Sequence, residues 1–201
     1  MLFENVGTRA KPRFAAPRPL RIGSDEAPFA KRCRPAVVDW NGDGLMDVVT
    51  TSKKGHVCLF RQKRVGGALK LQAGEPLLNQ AGKPFGGGQW EACDWDGDGD
   101  WDLITQRGRW SSAGPYFQEN TGTNKAPRFK APMRLKCWGT EITLSAHEHS
   151  FAAVDWYGTG KPDLMCGGES GLFYFFRRTA LDSPTPPAAR ASRRLEIRKP
   201  R

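Results

Sequence analysis

Three acidic segments of nine residues carry the side chains best placed to do chemistry in this chain. Each reads Asp-Trp-x-Gly-x-Gly-x-x-Asp, and the copies lie at residues 39–47, 94–102 and 155–163. Oxygen-bearing residues stand at alternate positions, and the glycines let the backbone turn so that the last aspartate returns toward the first. Calcium takes about six to eight oxygen ligands from carboxylates, amides, backbone carbonyls and water. The spacing therefore predicts loops that wrap a hard cation, and we expect Ca²⁺.

The first two loops have a full set of candidate ligands. Positions one, three, five and nine offer side chains, and position seven offers a backbone carbonyl. The predicted ligands are Asp39, Asn41, Asp43, the Leu45 carbonyl and Asp47 in the first loop, and Asp94, Asp96, Asp98, the Asp100 carbonyl and Asp102 in the second. Four carboxylates stand at the side-chain positions of the second loop, so we expect it to bind more tightly than the first.

The third loop departs from this pattern at its middle positions. It keeps Asp155 and Asp163 but has Tyr157, Thr159 and Lys161 between them. Two carboxylates with an ammonium group beside them are a poor calcium site, so we expect this loop to be empty. A plain Asp/Gly turn is the alternative for all three segments. Recurrence within one chain argues against that alternative for the first two.

The residues after each loop favour strands over helices. A helix-loop-helix calcium site needs an acid at position twelve, where this chain has Thr50, Thr105 and Cys166. The stretches that follow the last aspartate, such as 48–51 and 103–105, are β-branched and apolar, which favours extended chain. The loops are therefore predicted to join strands.

The loops belong to a longer internal repeat of nearly sixty residues. A shift of 116 residues superimposes 37–40 on 153–156, and a shift of 115 superimposes Glu4-Asn5-x-Gly7-Thr8 on Glu119-Asn120-x-Gly122-Thr123. Short strands separated by glycine turns indicate an all-β fold, and four antiparallel strands per unit are typical of a β-propeller blade. In the first unit we expect strands at 36–39, 47–51, 56–62 and around 69–71.

The repeat gives about three blade equivalents and an incomplete ring. The predicted limits are a partial blade at 1–30, blades at about 33–80, 88–136 and 149–178, and a basic, Pro/Arg-rich disordered tail at 179–201. Closed propellers have about four to eight blades. We therefore expect either a fragment of a longer propeller or closure by self-association.

The acidic loop with the following Asp47-Val48-Val49, and the Gly-x-Val-x-Leu-Phe strand at 55–60, resemble FG-GAP repeats, also called VCBS repeats. The resemblance covers about residues 1–178. It implies propeller blades with calcium between the first and second strands, as in the integrin α-subunit head, and the same ligand positions. It also implies a non-catalytic recognition, adhesion or scaffold role, a protein or carbohydrate ligand, and an extracellular or cell-surface location. Some polysaccharide lyases use such propellers, so a piece of a carbohydrate-active enzyme stays open.

The net charge of +10 lies mainly at the two ends of the chain. Residues 1–35 carry +5 and residues 182–201 carry +4, so the predicted blades are nearly neutral. The tail can meet anionic surfaces by electrostatics, although a solvated tail is the simpler interpretation, and we expect no specific nucleic-acid binding. No apolar stretch is long enough to span a membrane, and the first residues do not follow the pattern of a secretion signal, so we expect none in this chain.

Aromatic and histidine residues supply weaker candidates. Trp110 and Trp138 are candidate ligand-binding residues, because exposed aromatic faces suit sugars or peptides. The tryptophan at the second loop position recurs in all three copies and is expected to be part of the blade. His147 and His149 would share a face of a strand and could bind a transition metal, with an exposed strand end as the default. The five cysteines lack metal or disulfide spacing. Cys58, Cys93 and Cys166 lie in or beside apolar strands and are expected to be buried apolar residues, while a bridge between one pair of cysteines stays open.

Overall fold

In the computed structural model the chain is all-β, as predicted. The residues described are 1–22, 25–26, 29–30, 33–108, 112–144 and 148–182. Within them there is no α-helix, and a short 3-10 turn spans Arg178–Ala180. These ranges contain no helix of the length and apolar character needed to cross a membrane. The chain divides into two compact units, one of residues 1–77 with 84–87 and the other of residues 78–83 with 88 onward.

The first unit contains two four-stranded sheets. Its strands are β1 (Arg21–Ile22), β2 (Asp25–Glu26), β3 (Ala36–Val38), β4 (Asp47–Thr51), β5 (Val57–Phe60), β6 (Gln62–Val65), β7 (Ala68–Leu71) and β8 (Glu75–Pro76). One sheet has the order β3-β4-β5-β8 and is antiparallel throughout, as expected for a blade. The other has the order β2-β1-β7-β6, with β1 parallel to β7.

The fourth strand predicted for the first blade, around Leu69 to Leu71, was wrong. That segment is β7, and it pairs with β6 in a hairpin and with β1 in the second sheet. Gly66 and Gly67 connect β6 to β7 with φ of 59° and 79°, which suits a tight hairpin turn. This local hairpin ends the third strand at Phe60 and leaves β8 to complete the blade. The repeat alignment could not show the insertion, because the hairpin also consists of short strands joined by a glycine turn.

The second unit contains a complete four-stranded sheet and a three-stranded sheet. Its strands are β9 (Trp90–Cys93), β10 (Asp102–Arg107), β11 (Gly114–Gln118), β12 (Met133–Arg134), β13 (Lys136–Cys137), β14 (Thr140–Glu141), β15 (His149–Val154), β16 (Asp163–Gly168) and β17 (Phe173–Phe176). The sheet orders are β9-β10-β11-β12 and β15-β16-β17, both antiparallel, with β13-β14 as a separate hairpin. The blade limits predicted from the repeat stay predictions.

The core of each unit lies on the sheets that carry the acidic loops. In the second unit, one buried cluster joins Ile104 and Phe117 of the four-stranded sheet to Phe151, Leu164 and Cys166 of the three-stranded sheet. In the first unit a cluster forms around Val48, Cys58, Phe60 and Leu71. All five cysteines are free thiols, and Cys58, Cys93 and Cys166 are buried, which agrees with their predicted apolar role.

Candidate metal-binding loops

Each acidic loop connects the first and second strands of its sheet, as the sequence predicted. The loops lie between β3 and β4, between β9 and β10, and between β15 and β16. Two glycines in each loop have positive φ, from 66° to 90°. Residues that have a side chain rarely adopt this left-handed backbone conformation, which explains why glycine stands at both positions of all three copies.

The aspartate at position one shapes the loop through backbone hydrogen bonds. Asp39 accepts the N–H groups of positions five and six at 3.0 and 2.9 Å. Asp155 accepts the same two at 2.7 and 2.7 Å, and Asp94 accepts positions four and six at 2.8 and 3.1 Å. The third loop therefore holds the same curvature without the middle acids. Loop shape alone does not distinguish a metal site from a turn.

The aspartate at position nine closes each loop against the rest of its sheet. Asp47, Asp102 and Asp163 are buried, with exposed fractions of 0%, 1% and 3%. One carboxylate oxygen accepts the N–H of the loop tryptophan at 3.3, 3.1 and 3.3 Å. The other accepts the N–H of the second residue after the third strand, at 2.7, 2.8 and 2.7 Å. Position nine is therefore a structural clamp in all three blades, a role that goes beyond the ligand role predicted for the first two.

The second loop gathers the acids most closely. Carboxylate oxygens of Asp94, Asp96 and Asp102 lie within 4.8 Å of one another, and this is the one such acidic group in the described part of the chain. The Asp98 carboxylate is not one of these three, and it accepts the N–H of Asp100 at 2.8 Å within the same loop. The side-chain oxygens of three of the five predicted ligand residues of this loop therefore lie close together.

Burial makes it costly in free energy to ionise the aspartates of the second loop when no cation is bound. Burial, with the Asp98 carboxylate as the next cause, raises the pKa of Asp96 to about 6. Burial raises the pKa of Asp102 to about 8, although the N–H groups of Asn120 and Trp95 oppose the rise. The pKa of Asp94 is also raised by burial. A divalent cation would stabilise the ionised forms that burial disfavours.

Asn124, which lies outside the second loop in the sequence, forms three hydrogen bonds with it. The Asn124 side chain donates to the Gly99 carbonyl at 3.1 Å and accepts the N–H of Trp101 at 2.7 Å. The backbone N–H of Asn124 donates to the Asp100 carboxylate at 2.8 Å. Sequence reasoning missed this residue, although it directly follows the repeated Asn-x-Gly-Thr motif.

A buried arginine lies beside the second loop. The Arg178 guanidinium is 4.3 Å from the centre of the Trp95 ring, and its Nη2 donates to the Trp95 carbonyl at 2.8 Å. Burial lowers the pKa of Arg178, while the carboxylates of Asp96 and Asp102 oppose this effect. No local pattern predicts this contact, because Trp95 and Arg178 are 83 positions apart.

The first loop has a more open arrangement. Asn41 and Asp43 are exposed, and the Asn41 amide donates to the Asp43 carboxylate at 3.0 Å. Leu45, whose carbonyl is the predicted ligand, donates its N–H to Asp43 at 2.8 Å. Burial raises the pKa of Asp47. The donor types suit calcium, and the smaller number of buried acids is consistent with the weaker binding that we expect here.

The middle positions of the third loop have other contacts. The Tyr157 ring lies 6.2 Å from the Phe175 ring, and the Arg177 guanidinium lies over it at 4.3 Å. The Thr159 hydroxyl donates to Asp155 at 3.2 Å. The backbone N–H groups of Thr159 and Gly160 also donate to Asp155. These hydrogen bonds lower the pKa of Asp155, and the bond from the Thr159 N–H has the largest effect. None of the three middle positions has a carboxylate, so an empty third loop stays our prediction.

The remaining sequence candidates divide into described and undescribed residues. Trp138 is 80% exposed in the β13-β14 turn and has a φ of 49°. Trp110 and His147 lie outside the described residues, as does the tail from residue 183 onward. His149 was expected at an exposed strand end, which was wrong, since it is 2% exposed. It starts β15 on the same face as Phe151, and burial lowers its pKa.

Comparison with known proteins agrees with the geometry of the first two loops. A family model described as FG-GAP-like repeat matches residues 39–105, from the start of the first loop into β10. Neither a curated protein nor a solved structure matches the chain. Residues 39–105 are therefore similar to an FG-GAP-like repeat, the family that the acidic loops were predicted to resemble.

Proposed function

We propose that this chain is a calcium-stabilised propeller-type repeat module with a non-catalytic recognition or scaffold role. The observation that carries the proposal is the convergence of Asp94, Asp96 and Asp102 within 4.8 Å in a partly buried loop. Carboxylates with pKa values raised by burial gain most from a bound divalent cation. Hard oxygen donors, glycine turns and the absence of nitrogen or sulfur ligands in the motif favour calcium over transition metals.

Two loops would hold the ions. In the second loop the ligands would be the carboxylates at positions one, three, five and nine with the Asp100 carbonyl. In the first loop they would be Asp39, Asn41, Asp43, Asp47 and the Leu45 carbonyl. The ion supplies positive charge at the junction of the first two strands of a blade, so its loss would loosen that junction.

Thermal unfolding with calcium and with chelator tests this proposal. Calcium should raise the melting temperature of the wild-type protein, because an ion that binds only the folded state stabilises it by mass action. Asp96→Asn should reduce that increase, because it removes one converging carboxylate without touching the clamp at position nine. Thr159→Ala, at position five of the third loop, is the matched control and should leave the increase unchanged. A wild-type melting temperature equal in calcium and chelator would contradict the proposal.

An extracellular setting fits the affinity expected of such loops. Extracellular calcium modules bind at about 0.1 to 1 mM, and affinity falls with fewer charged ligands, of which the first loop has three and the second loop four. We therefore expect half-saturation in this range for the first loop and tighter binding for the second. Saturation of both loops at micromolar calcium would point to an intracellular sensor instead.

Surface recognition through an exposed tryptophan is a second candidate. Trp138 presents 80% of its surface at a hairpin turn, and a tryptophan with positive φ is strained there. Such a position presents a flat aromatic face to sugars or peptides at little entropic cost. Binding to a glycan array that Trp138→Ala abolishes, while Met133→Ala leaves it intact, would support this role. Turnover of pectic polymers by the purified chain would instead favour the enzyme alternative.

A further inference from the structure

The three-stranded sheet of the second unit has one buried face and one open face. Directly paired residues of antiparallel strands share a face, so Phe151, Leu164 and Cys166 occupy one side with Tyr174 and Phe176. That side belongs to the core of the unit. The opposite side contains Val154, Met165 and the aromatic residues of β17 at 173 and 175.

The open face is rich in exposed aromatic side chains. Trp156, Tyr157, Phe173 and Phe175 are 62%, 52%, 81% and 40% exposed. The rings of Trp156 and Tyr157 stand edge-on to Phe175, with centroids 6.1 and 6.2 Å away. With Val154, which is 37% exposed, these four residues form what we call the aromatic face. Contiguous exposed apolar surface of this kind marks interaction sites.

The preceding blade shows what covers this face. Aligning the buried aspartates Asp102 and Asp163 makes Cys93, Trp95, Ile104 and Phe117 equivalent to Val154, Trp156, Met165 and Phe175. The four residues in the preceding blade are only 7%, 1%, 0% and 1% exposed. They pack in one cluster with Phe151, Leu164 and Cys166 of the three-stranded sheet. We call the side of a blade that corresponds to these three residues its reverse side. The partner of an aromatic face is therefore the reverse side of another blade.

The first unit exposes part of such a reverse side, although Val48 within it is only 7% exposed. Val37 and Val48 are paired and correspond to Ala153 and Leu164, residues of the side that packs on the preceding blade in the second unit. Val37 and Met46 are 57% and 55% exposed. Together with Val48 they line a cavity of about 580 Å³, whose other walls include Leu2, Leu20 and Phe29. An apolar cavity of this size can receive aromatic side chains.

We propose that the aromatic face of one copy docks on the Val37 side of the first blade in a second copy. The same chain carries both complementary surfaces, and the packing between the two blades of its second unit provides the template. The contact is head-to-tail, so it joins two different patches and builds rings or longer chains. Neither surface involves the predicted calcium ligands, so the proposal stands apart from metal binding.

Two blocking variants test this pairing in the full chain. Phe173→Asp places a charge on the aromatic face, and Val37→Asp places one at the cavity. Both side chains are more than half exposed, so the folded state should tolerate them. Val65→Asp, at a 46% exposed position of the β6-β7 hairpin, is the matched control. Sedimentation velocity over a wide concentration range gives the readout, with far-UV circular dichroism as the check on folding.

The wild-type chain and Val65→Asp should self-associate with increasing concentration, while each blocking variant alone should stay monomeric. An equimolar mixture of the two blocking variants should form dimers and nothing larger, because each copy keeps one intact surface. Restored dimerisation also shows that both variants are folded. A wild-type chain that stays monomeric would overturn the proposal. So would a Val37→Asp variant that associates like wild type, since that result indicates a symmetric contact between aromatic faces.

Discussion

The clamp at position nine leads to our most specific prediction, which compares Asp163→Asn with Asp102→Asn. Each aspartate is buried and accepts two backbone N–H groups, one from the loop and one from beyond the third strand. An amide keeps one acceptor and turns a donor toward the second N–H group. Both residues belong to the second unit, so the same folded body reports both effects.

The expected magnitudes follow from these contacts. Hydrogen bonds to a charged group contribute about 1.5 to 3 kcal/mol each, so Asp163→Asn should lower the free energy of unfolding by about 2 kcal/mol. Because the third loop is expected to be empty, this loss should be the same in calcium and in chelator. Asp102 has a pKa raised to about 8 by burial, so at pH 7 its metal-free form is largely protonated. In chelator, Asp102→Asn should therefore cost less than Asp163→Asn.

Calcium should increase the free energy of unfolding of the two variants by different amounts. At a calcium concentration about a hundred times the dissociation constant, the ion adds about 2.7 kcal/mol to the wild-type protein. Asp102→Asn should lose most of this increment, whereas Asp163→Asn should retain it. Urea unfolding followed by tryptophan fluorescence, in calcium and in chelator, measures each difference. Equal calcium dependence in the two variants, or no cost for Asp163→Asn, would refute the reasoning.

Three further outcomes follow from the loops and their surroundings. Because burial raises the pKa of Asp102 to about 8, the folded metal-free protein binds protons more readily than the unfolded chain. Its stability should therefore rise as the pH falls from 8 to 6, and calcium affinity measured by calorimetry should fall over the same range. Tyr157→Asp combined with Thr159→Asp should add one calcium ion per chain in equilibrium dialysis, because the third loop already has the required backbone shape; unchanged stoichiometry would oppose this. Arg178→Met should cost about 2 kcal/mol in urea unfolding by removing a desolvated cation–π contact, whereas Arg177→Met, at an exposed site, should cost about 0.5 kcal/mol or less.

Local pattern was enough to predict the fold class and the position of the loops. Alternating oxygen donors and glycines defined three turns, and β-branched residues after Asp47 and Asp102 indicated strands. These features depend on neighbours within a few positions, so they can be predicted from one sequence. The positive φ values of Gly42 and Gly44 show the same local origin.

Contacts between distant segments were the part that the sequence did not reveal. The clamp donors lie 15 to 18 positions after the aspartates, and Asn124 lies 25 positions after Gly99. The β6-β7 hairpin displaced the predicted fourth strand because Leu71 pairs outside the blade. Likewise Trp95 is buried and Trp156 exposed at the same loop position. That difference depends on whether another blade covers the side chain, which no local pattern encodes.

Calcium stoichiometry tests the central claim most directly. Isothermal titration of the metal-stripped chain should give two ions per chain, with the tighter site weakened toward the affinity of the first loop in Asp96→Asn, which then has the same donor types as the first loop, and the weaker site lost in Asp43→Asn. Titration heats equal to buffer dilution, or calcium binding of unchanged affinity and stoichiometry in both variants, would contradict the account.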